Sequence, residues 1–496
     1  MTTMNLTTDP WIPAVRLDGG RELLSLQSLF ARAHELRDLA ARPHERVALT
    51  RLLLCVAQAA LDGPADEEDW EQCEARIQPS AETYLAKWKD AFELFGEGPR
   101  FLQLPNLASG KEADEGTPAT KLDLALASGN NSALFDNAAG SERAQSDARC
   151  ALNLLAFQCF SPCGRVGVAK WNGKDTPGKG SSNHAPCVPS SMVHALVLGE
   201  TLLATLHANL LTKEDVVDLH GPDRWGAPVW ELPVRAMDDA ASIANATLTH
   251  LGRLAPLSRA IRLLDGGQGV ILGNGLDYPI FPAFREASAT VITRDEELAL
   301  LPASTSRSFW RQLAAVSAQA KSGGGRVGGP RALARAKTNA ETILWLGALV
   351  TGKAKIEDLV DSSYSLPPAM FSDWGRAAYE RGVGHAEELE RALLKSVKSY
   401  ASSLKVVDAP YDRARQHFWT RVEQELSELF AFAQNPATDD EIPGTPWGRA
   451  VQAAAREAYE RSCPRQTPRQ IQAYALGLRT LAFRSKPKTQ DNPKQS

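Results

Sequence analysis

The sequence predicts an α+β protein. A large mixed α/β N-terminal domain covers residues 1–366, a C-terminal four-helix bundle covers 367–484, and a disordered tail follows over 485–496. Three observations carry this reading. Strand and turn signals mix with helical ones in the first part of the chain, apolar residues recur at helical spacing through the last part, and Ser365-Leu-Pro-Pro368 breaks the two patterns apart.

Composition sets the class. A chain of 496 residues with 43% hydrophobic and 23% charged residues is globular and long enough for several domains. Lys and Arg number 55 against 59 Asp and Glu, a net charge of −4. That excludes a histone-like basic binder, so any nucleic-acid surface has to be a local patch. Seven scattered cysteines do not form a disulfide framework and fit a reducing compartment. The first residues are polar, Leu52–Leu61 is too short to span a bilayer, and His194–Leu211 is interrupted by Glu200 and His207. A cytoplasmic location is expected.

Residues 5–17 read as extended, with Pro10 and Pro13 excluding a helix and Asp18-Gly19-Gly20 making a hairpin turn. A helix is expected from Pro43 to Leu61, with Val47, Leu54 and Leu61 on one face and Gly63 as its stop. Residues 63–70 read as acidic and exposed, and a helix follows near Ser80–Leu94. Gly110–Gly140 and Pro162–Pro189 read as long loops, with a helix at Arg149–Phe160 between them. Ser190–Leu211 reads as one buried helix. Val270–Leu272 and Ala289–Ile292 read as strands on either side of the turn dipeptide Asn274-Gly275.

In the C-terminal part, Ala386, Leu389, Leu393, Val397, Tyr400 and Leu404 define one helix face, and Phe418, Val422, Leu426 and Leu429 a second. Thr445-Pro446 and Thr467-Pro468 supply a cap and an N1 proline for a third and a fourth. Four amphipathic helices with modest connections argue for a bundle.

Enzyme signatures are scarce. There is no Gly-x-Ser-x-Gly elbow, no Walker loop and no His-Glu-x-x-His. Cys159, Cys163, His184 and Cys187 have a loose metal-ligand spacing, and unligated thiols are the plainer reading. Asp439-Asp440 falls in a connection, and His207 on an apolar face reads as a core residue. The more informative feature is charge. From Leu298 to Ala340 there is no acid, while Arg307, Arg311, Lys321, Arg326, Arg331, Arg335 and Lys337 are all basic. A second acid-poor stretch, Ala148–Lys174, holds Arg149, Arg165, Lys170 and Lys174. Local cation clusters on an acidic chain suit contact with nucleic-acid phosphates, and Arg326, Arg331, Arg335 and Lys337 are the phosphate-contact candidates.

Asn5-Leu-Thr-Thr-Asp-Pro-Trp-Ile-Pro13 resembles the opening of the CasA family, the large subunit of the type I-E CRISPR Cascade complex. Leu24-Ser-Leu-Gln-Ser-Leu-Phe30, Ser128-Gly-Asn-Asn131 with Phe135-Asp-Asn137, and Gly273-Asn-Gly-Leu276 are similar to later segments of that family. The resemblance implies a non-catalytic subunit of an RNA-guided antiviral complex. Such a subunit reads a short flanking motif (the PAM) in duplex DNA, helps start strand separation and R-loop formation, and docks a helicase-nuclease. Its implied partners are the other Cascade subunits, the 5′ handle of the guide RNA, double-stranded target DNA and the helicase-nuclease, with no cofactor and no membrane.

The resemblance also implies site residues. Asn130, Asn131 and Phe135 match the loop that touches the guide handle and a neighbouring subunit. Pro162, Cys163, Gly164 and Arg165 stand where the family has a glycine loop approaching the minor groove. The motif-reading lysine of the family aligns with Gln268, or with Arg262 if a small gap intervenes. The wedge turn aligns with Thr351-Gly352-Lys353, where Gly352 suits the turn and Lys353 a phosphate. Trp11 reads as a core anchor. Some members carry paired Cys-x2-Cys motifs, which this sequence lacks, so no zinc is expected. The alternatives are a metal-dependent enzyme using the Cys159/Cys163/His184/Cys187 cluster and a scaffold subunit that binds only protein.

Overall fold

The computed structural model describes residues 4–110, 116–126, 145–161, 166–167, 169–176, 184–264, 266–281, 285–319, 327–335, 340–352 and 355–481. The chain divides into two compact units, the first running to Ser365 and the second from Leu366, with 337–341 grouped with the second.

The first unit opens with strands β1 (Ile12–Arg16) and β2 (Arg21–Leu24), joined at the expected Asp18-Gly19-Gly20 turn. Helix α1 (Leu26–Ala31) follows, and β3 (Leu36–Leu39) pairs on the other side of β1. Trp11 is 1% exposed and donates its indole N–H to the Leu6 carbonyl at 3.0 Å, a core anchor as the sequence indicates. Helix α2 (Pro43–Leu61) has the expected bounds, with proline at N1 and Asp62 in the left-handed region after it. Its surroundings differ from a one-sided amphipathic helix, because every residue from His44 to Gln58 is buried.

Helix α3 (Glu67–Lys87) begins well before Ser80. Asp66 caps it and Glu67, Glu68 and Asp69 fill its first turn, where carboxylates oppose the positive end of the helix dipole. The acidic run is thus a helix start, and Pro79 lies inside the helix rather than before it.

Strands β4 (Leu107–Ser109) and β5 (Thr117–Pro118) precede helix α4 (Asp147–Phe160), which matches its expected place. The stretch read as a loop after it contains strands β6 (Ala169–Trp171) and β7 (Lys174–Asp175), which join β4 in the order β4-β6-β7. The single helix expected over Ser190–Leu211 is a strand and a helix: β8 (His194–Leu198) and α5 (Leu202–Asn209). Thr201 caps α5, and the apolar run before it pairs with a strand some 150 residues later in the chain, a partner no local pattern discloses.

Helices α6 (Lys213–His220), α7 (Ala240–Leu248) and α8 (His250–Leu254) lead to strands β9 (Ala260–Leu263) and β10 (Gly269–Gly273), in a sheet ordered β5-β10-β9. β11 (Val291–Arg294) pairs with β12 (Glu297–Leu300), not with β10, so the two expected strands belong to different sheets. After the short helix α9 (Leu313–Ser317), the long strands β13 (Thr342–Gly352) and β14 (Lys355–Leu366) complete a sheet ordered β14-β13-β8.

The second unit holds α10 (Asp373–Leu404), α11 (Tyr411–Glu423), α12 (Leu426–Gln434), α13 (Pro446–Ser462) and α14 (Pro468–Leu481). The expected second helix is two, interrupted at Gln424-Glu425. Thr445 caps α13 through the Gly448 N–H, as the Thr-Pro signal indicates. The tail over 485–496 lies outside the described residues. No described helix is long and apolar enough to cross a membrane.

Four histidines of the first unit are buried or nearly so. Burial lowers His44, His194 and His250 to about 3 and His220 to about 4. The unfolded imidazoles take up protons near pH 6.5 while the folded ones stay neutral, so this stabilisation is complete above pH 6.5 and is lost as the pH falls toward 3. The urea midpoint is expected to drop between pH 6.5 and 4, and His194→Gln should flatten that drop. An unchanged pH profile in the variant would exclude His194 as a contributor.

Candidate nucleic-acid interface

Helix α4 organises the expected site residues, because its two ends carry different ones. At its N-terminal end, Ser146 accepts a hydrogen bond from the Arg149 N–H at 3.2 Å. Arg149 reaches Asp123 at 3.1 Å and Glu45 at 2.6 Å, while Arg42 holds Asp123 at 2.8 Å. Asp123 and Glu45 are buried, and burial pushes the Glu45 carboxyl up against the pull of Arg42. This quartet ties Asp123, just before residues 127–144, to Arg149, just after them. Asn130, Asn131 and Phe135 themselves lie outside the described residues. Arg149, counted above in a basic stretch, is therefore engaged by two carboxylates.

Gln268 stands at this same end. It follows the positive-φ pair Gly266-Gly267, its amide donates to the Gly266 carbonyl at 3.1 Å, and its own carbonyl accepts from Ala119 N–H at 3.0 Å. The Cys150 thiol on the second turn of α4 donates to the Gly267 carbonyl at 3.4 Å. Arg262 faces Ile271 within the β9–β10 pair.

The C-terminal end leads to residues 162–165, which are outside the described residues, but both flanks are fixed. Ser161 accepts from Arg259 Nε at 2.8 Å, and Val166 N–H donates to Asn274 Oδ1 at 3.2 Å. Asn274 is fully buried, and Gly275 has φ +101 with the Ser258 carbonyl 2.5 Å from where a Cβ would stand, so only glycine fits the turn. The Cys159 carbonyl accepts from Val188 N–H at 2.8 Å.

Three residues beyond Val188, about 10 Å of chain at most, Ser191 forms a junction. It has φ +58, and its N–H donates to the Leu349 carbonyl at 3.1 Å. Its hydroxyl accepts from Thr351 N–H at 2.9 Å, and its carbonyl accepts from Ala303 N–H at 2.6 Å. Thr351 and Gly352 end β13, so Ser191 joins that end to the segment that bonds the C-terminal turn of α4. Arg307, in the turn four residues after Ala303, and Lys355, at the start of β14, are exposed. Lys353 and Arg326 lie outside the described residues, as does Lys337.

The structure thus links the C-terminal turn of α4 to the end of β13 through Val188–Ser191, while Gln268 lies at the N-terminal end of α4. Cys150 and Cys159 are nine residues apart on one helix, about 14 Å, and Gln268 belongs to the Cys150 end. Gln268 and Gly352 are thus held near opposite ends of α4.

Arg331 and Arg335 also need correction as phosphate contacts. Arg331 Nε lies 2.6 Å from Asp215 Oδ1 and its other nitrogen 3.3 Å from Asp218. Arg335 binds Asp215 and Glu67, the latter at 2.8 Å, and sits over the Trp70 ring at 5.1 Å. Burial pushes the Asp215 carboxyl up, but the two guanidinia and the Thr212 N–H outweigh it and hold the group below the usual carboxylate range. Both arginines thus satisfy a buried carboxylate. Sequence reasoning missed Ser191 and left Arg307 and Lys355 undistinguished among the basic residues. The Ser191 junction rests on contacts 112 and 160 residues apart, and no local signal marks it.

Among the described residues, no group of three His, Cys, Asp or Glu side chains converges as metal ligands. Cys159 is fully buried and its thiol is pushed up to about 11, while Cys163 is outside the described residues.

A family model, CRISPR-associated protein Cse1 (CRISPR_cse1), matches residues 5–463. The fold and this match define a CRISPR-associated protein. The chain belongs to the Cse1 family. A relative from Thermus thermophilus, CRISPR-associated protein CasA/Cse1, is 29% identical, covering 92% of this chain and 91% of its own. The solved structure of Thermus thermophilus CasA (Cse1) is 23% identical with a TM-score of 0.73, covering 96% of this chain and 99% of that one. Thermobifida fusca Cse1 also has 23% identity and a TM-score of 0.73, with 97% of each chain covered.

Removing Arg335 takes away one of the two guanidinia that hold the buried Asp215 carboxylate and leaves it to Arg331 and the Thr212 N–H. Arg335→Gln is expected to destabilise the chain by about 2–4 kcal/mol, read from urea melts, and to leave duplex DNA affinity unchanged. A fall in affinity with unchanged stability would restore Arg335 as a phosphate contact.

Proposed function

We propose that this chain is the DNA-reading subunit of an RNA-guided CRISPR surveillance complex. In this reading it inspects the motif flanking the target in duplex DNA, helps start strand separation, and docks the helicase-nuclease. It acts without catalysis and in the cytoplasm, with Asn130, Asn131 and Phe135 at the guide handle and the neighbouring subunit. A chain in a solved structure described as a CRISPR RNA-guided surveillance complex matches 97% of this chain and 100% of its own, with 19% identity and a TM-score of 0.72. The observation that carries the reading is the Ser191 junction. It bonds the Thr351 end of β13 and the Ala303 segment at one residue, three positions after Val188, which bonds the C-terminal turn of α4, and this supports the reading.

The chemistry divides accordingly. Arg307 and Lys355, with Lys353 between the strands, supply phosphate attraction that carries no sequence information. Discrimination comes from the 162–165 segment, where Gly164 permits close backbone approach and Arg165 reaches a narrow minor groove. The Gly352 turn inserts at the end of the duplex. Gln268 supports its own turn and Ala119, and is left out of the reading set.

The test is duplex binding by the reconstituted guide-RNA complex, with and without this subunit, over several flanking trinucleotides. A wrong flanking base pair is expected to cost roughly 1–3 kcal/mol, and only when the subunit is present. Lys355→Gln should weaken every flank alike and lower the salt slope by about 0.9, Arg165→Ala should narrow the differences among flanks, and Gln268→Ala should do neither. Equal binding to all flanks would leave a protein-only scaffold. Stoichiometric zinc in the purified chain, together with loss of activity on its removal, would favour the metal-dependent enzyme.

A further inference from the structure

The second unit carries a charge pattern that the flanking-motif reading does not use. Residues 391–407 contain no acid and hold Arg391, Lys395, Lys398 and Lys405. Residues 461–490 contain no acid either and include Arg465, Arg469 and Arg479. The first run is the second half of α10, and α14 lies within the second. The two helices pack side by side. Tyr400 Oη donates to the Pro464 carbonyl at 2.6 Å just before α14, and a Cβ on Gly477 would stand 2.8 Å from the Ser396 carbonyl oxygen. Two acid-free segments, far apart in the chain, are thereby brought to one region of the bundle.

The cations point outward. Arg391, Lys395, Lys398 and Ser402 recur at steps of four, three and four and are all exposed, while Leu393, Ser396, Val397 and Tyr400 between them are buried. On α14, Arg469 and Arg479 are exposed while Ala473, Tyr474, Gly477 and Leu481 are buried. The structure gives Lys395, Lys398, Lys405, Arg469 and Arg479 no ion pair among the described residues. Arg465 stacks on Tyr474 at 5.0 Å, where Glu460 of α13 is also close. Acids bound the patch: Glu388 and Glu390 before it on α10, with Glu390 held by Arg415, and Asp408 and Asp412 after it.

We propose that this face binds the phosphate backbone of duplex DNA without reading its sequence. From Arg391 to Lys405 the helix runs about 21 Å, a length over which duplex DNA presents about twelve phosphate charges. A rigid helix keeps the cations in line along it. Among its described residues the face offers no stacking platform, because Tyr400 and Tyr474 are 5% and 7% exposed. A single strand gains much of its affinity from bases stacked on aromatic rings, whereas a duplex does not. The patch therefore favours duplex over single strand, by counterion release alone.

The experiment uses the full chain with an arbitrary duplex of about three helical turns and with the matching single strand, titrated from low to physiological salt. Arg391→Gln/Lys395→Gln/Lys398→Gln keeps good helix formers at exposed positions, and circular dichroism checks that the bundle persists. The triple variant is expected to lower the duplex salt slope by about 2–3 and the low-salt duplex affinity at least about tenfold, with a smaller loss for the single strand. Arg469→Gln/Arg479→Gln, on the other helix, should lower the slope by about 1–2. An unchanged slope in both variants, an equal loss for the single strand, or no duplex binding by the wild-type chain at low salt overturns the proposal and leaves the face to a protein partner. In the assembled complex the same variants should weaken all flanking motifs by one factor. A change in the ratio between flanks would instead implicate the flanking-motif site, so the two readings fail separately.

Discussion

The first unit depends on a helix that is buried on all sides and is not apolar on all sides. From His44 to Gln58, α2 has no exposed residue, yet it carries His44, Glu45, Arg46, Arg51 and Gln58. Each polar group taken out of water has to be met by a partner or cost several kcal/mol. Most of those partners come from different elements. Asp38 on β3 takes Arg46, which also lies over Trp345 of β13 at 4.8 Å. Glu286 takes Arg51 at 2.5 Å and shares its other oxygen with Arg253, while Gln58 donates to the Leu211 carbonyl at 2.7 Å and meets His250. Burial pushes the Glu286 carboxyl up, but Arg253 and Arg51 outweigh it and keep it ionised. The helix thus fixes the places of β3, α4, α8 and β13 by polar matching, on top of the apolar contacts that supply most of the stabilisation.

That constraint reaches the candidate interface through α4. Its N-terminal turn is bound to α2 by the Arg42, Glu45, Asp123 and Arg149 quartet, so the base of the 127–144 segment is anchored to the centre of the unit. Its C-terminal end is bound to Arg259, just before β9, and to Val188. A helix held at both ends sets a fixed separation between what hangs from each end. Ser191, in the left-handed region, then passes the same fixed frame to the end of β13. Residues that contact nucleic acid gain from such mounting, since a loop on a rigid base loses less conformational entropy when it binds.

Charge is distributed by the same logic. Some basic residues satisfy buried carboxylates, as Arg149, Arg331 and Arg335 do, and are spent on stability. Others, such as Arg307 and Lys355 in the first unit and Lys395 and Lys398 in the second, are exposed. Counting cations along the sequence merges these two groups. The net charge of −4 conceals both.

Local signals in the sequence determined a good deal. The bounds of α2, the place of α4, the Asp18-Gly19-Gly20 hairpin and the caps of α13 follow from residues within a few positions of one another, through proline at N1, threonine caps and glycine turns. The opening Asn5–Pro13 and later segments sufficed for the family. Only the tertiary structure decided that Val193–Leu198 is mainly strand, that β10 and β11 lie in separate sheets, that Arg331 and Arg335 close on Asp215, and that Gln268 stands at the other end of α4 from Gly352. The physical reason is range. Helix starts and turns are settled by hydrogen bonds within one turn of chain, whereas strand pairing, charge compensation and the assembly of a surface require partners 100 or more residues away. The sequence shows which residues can make such contacts, and the folded chain selects among them.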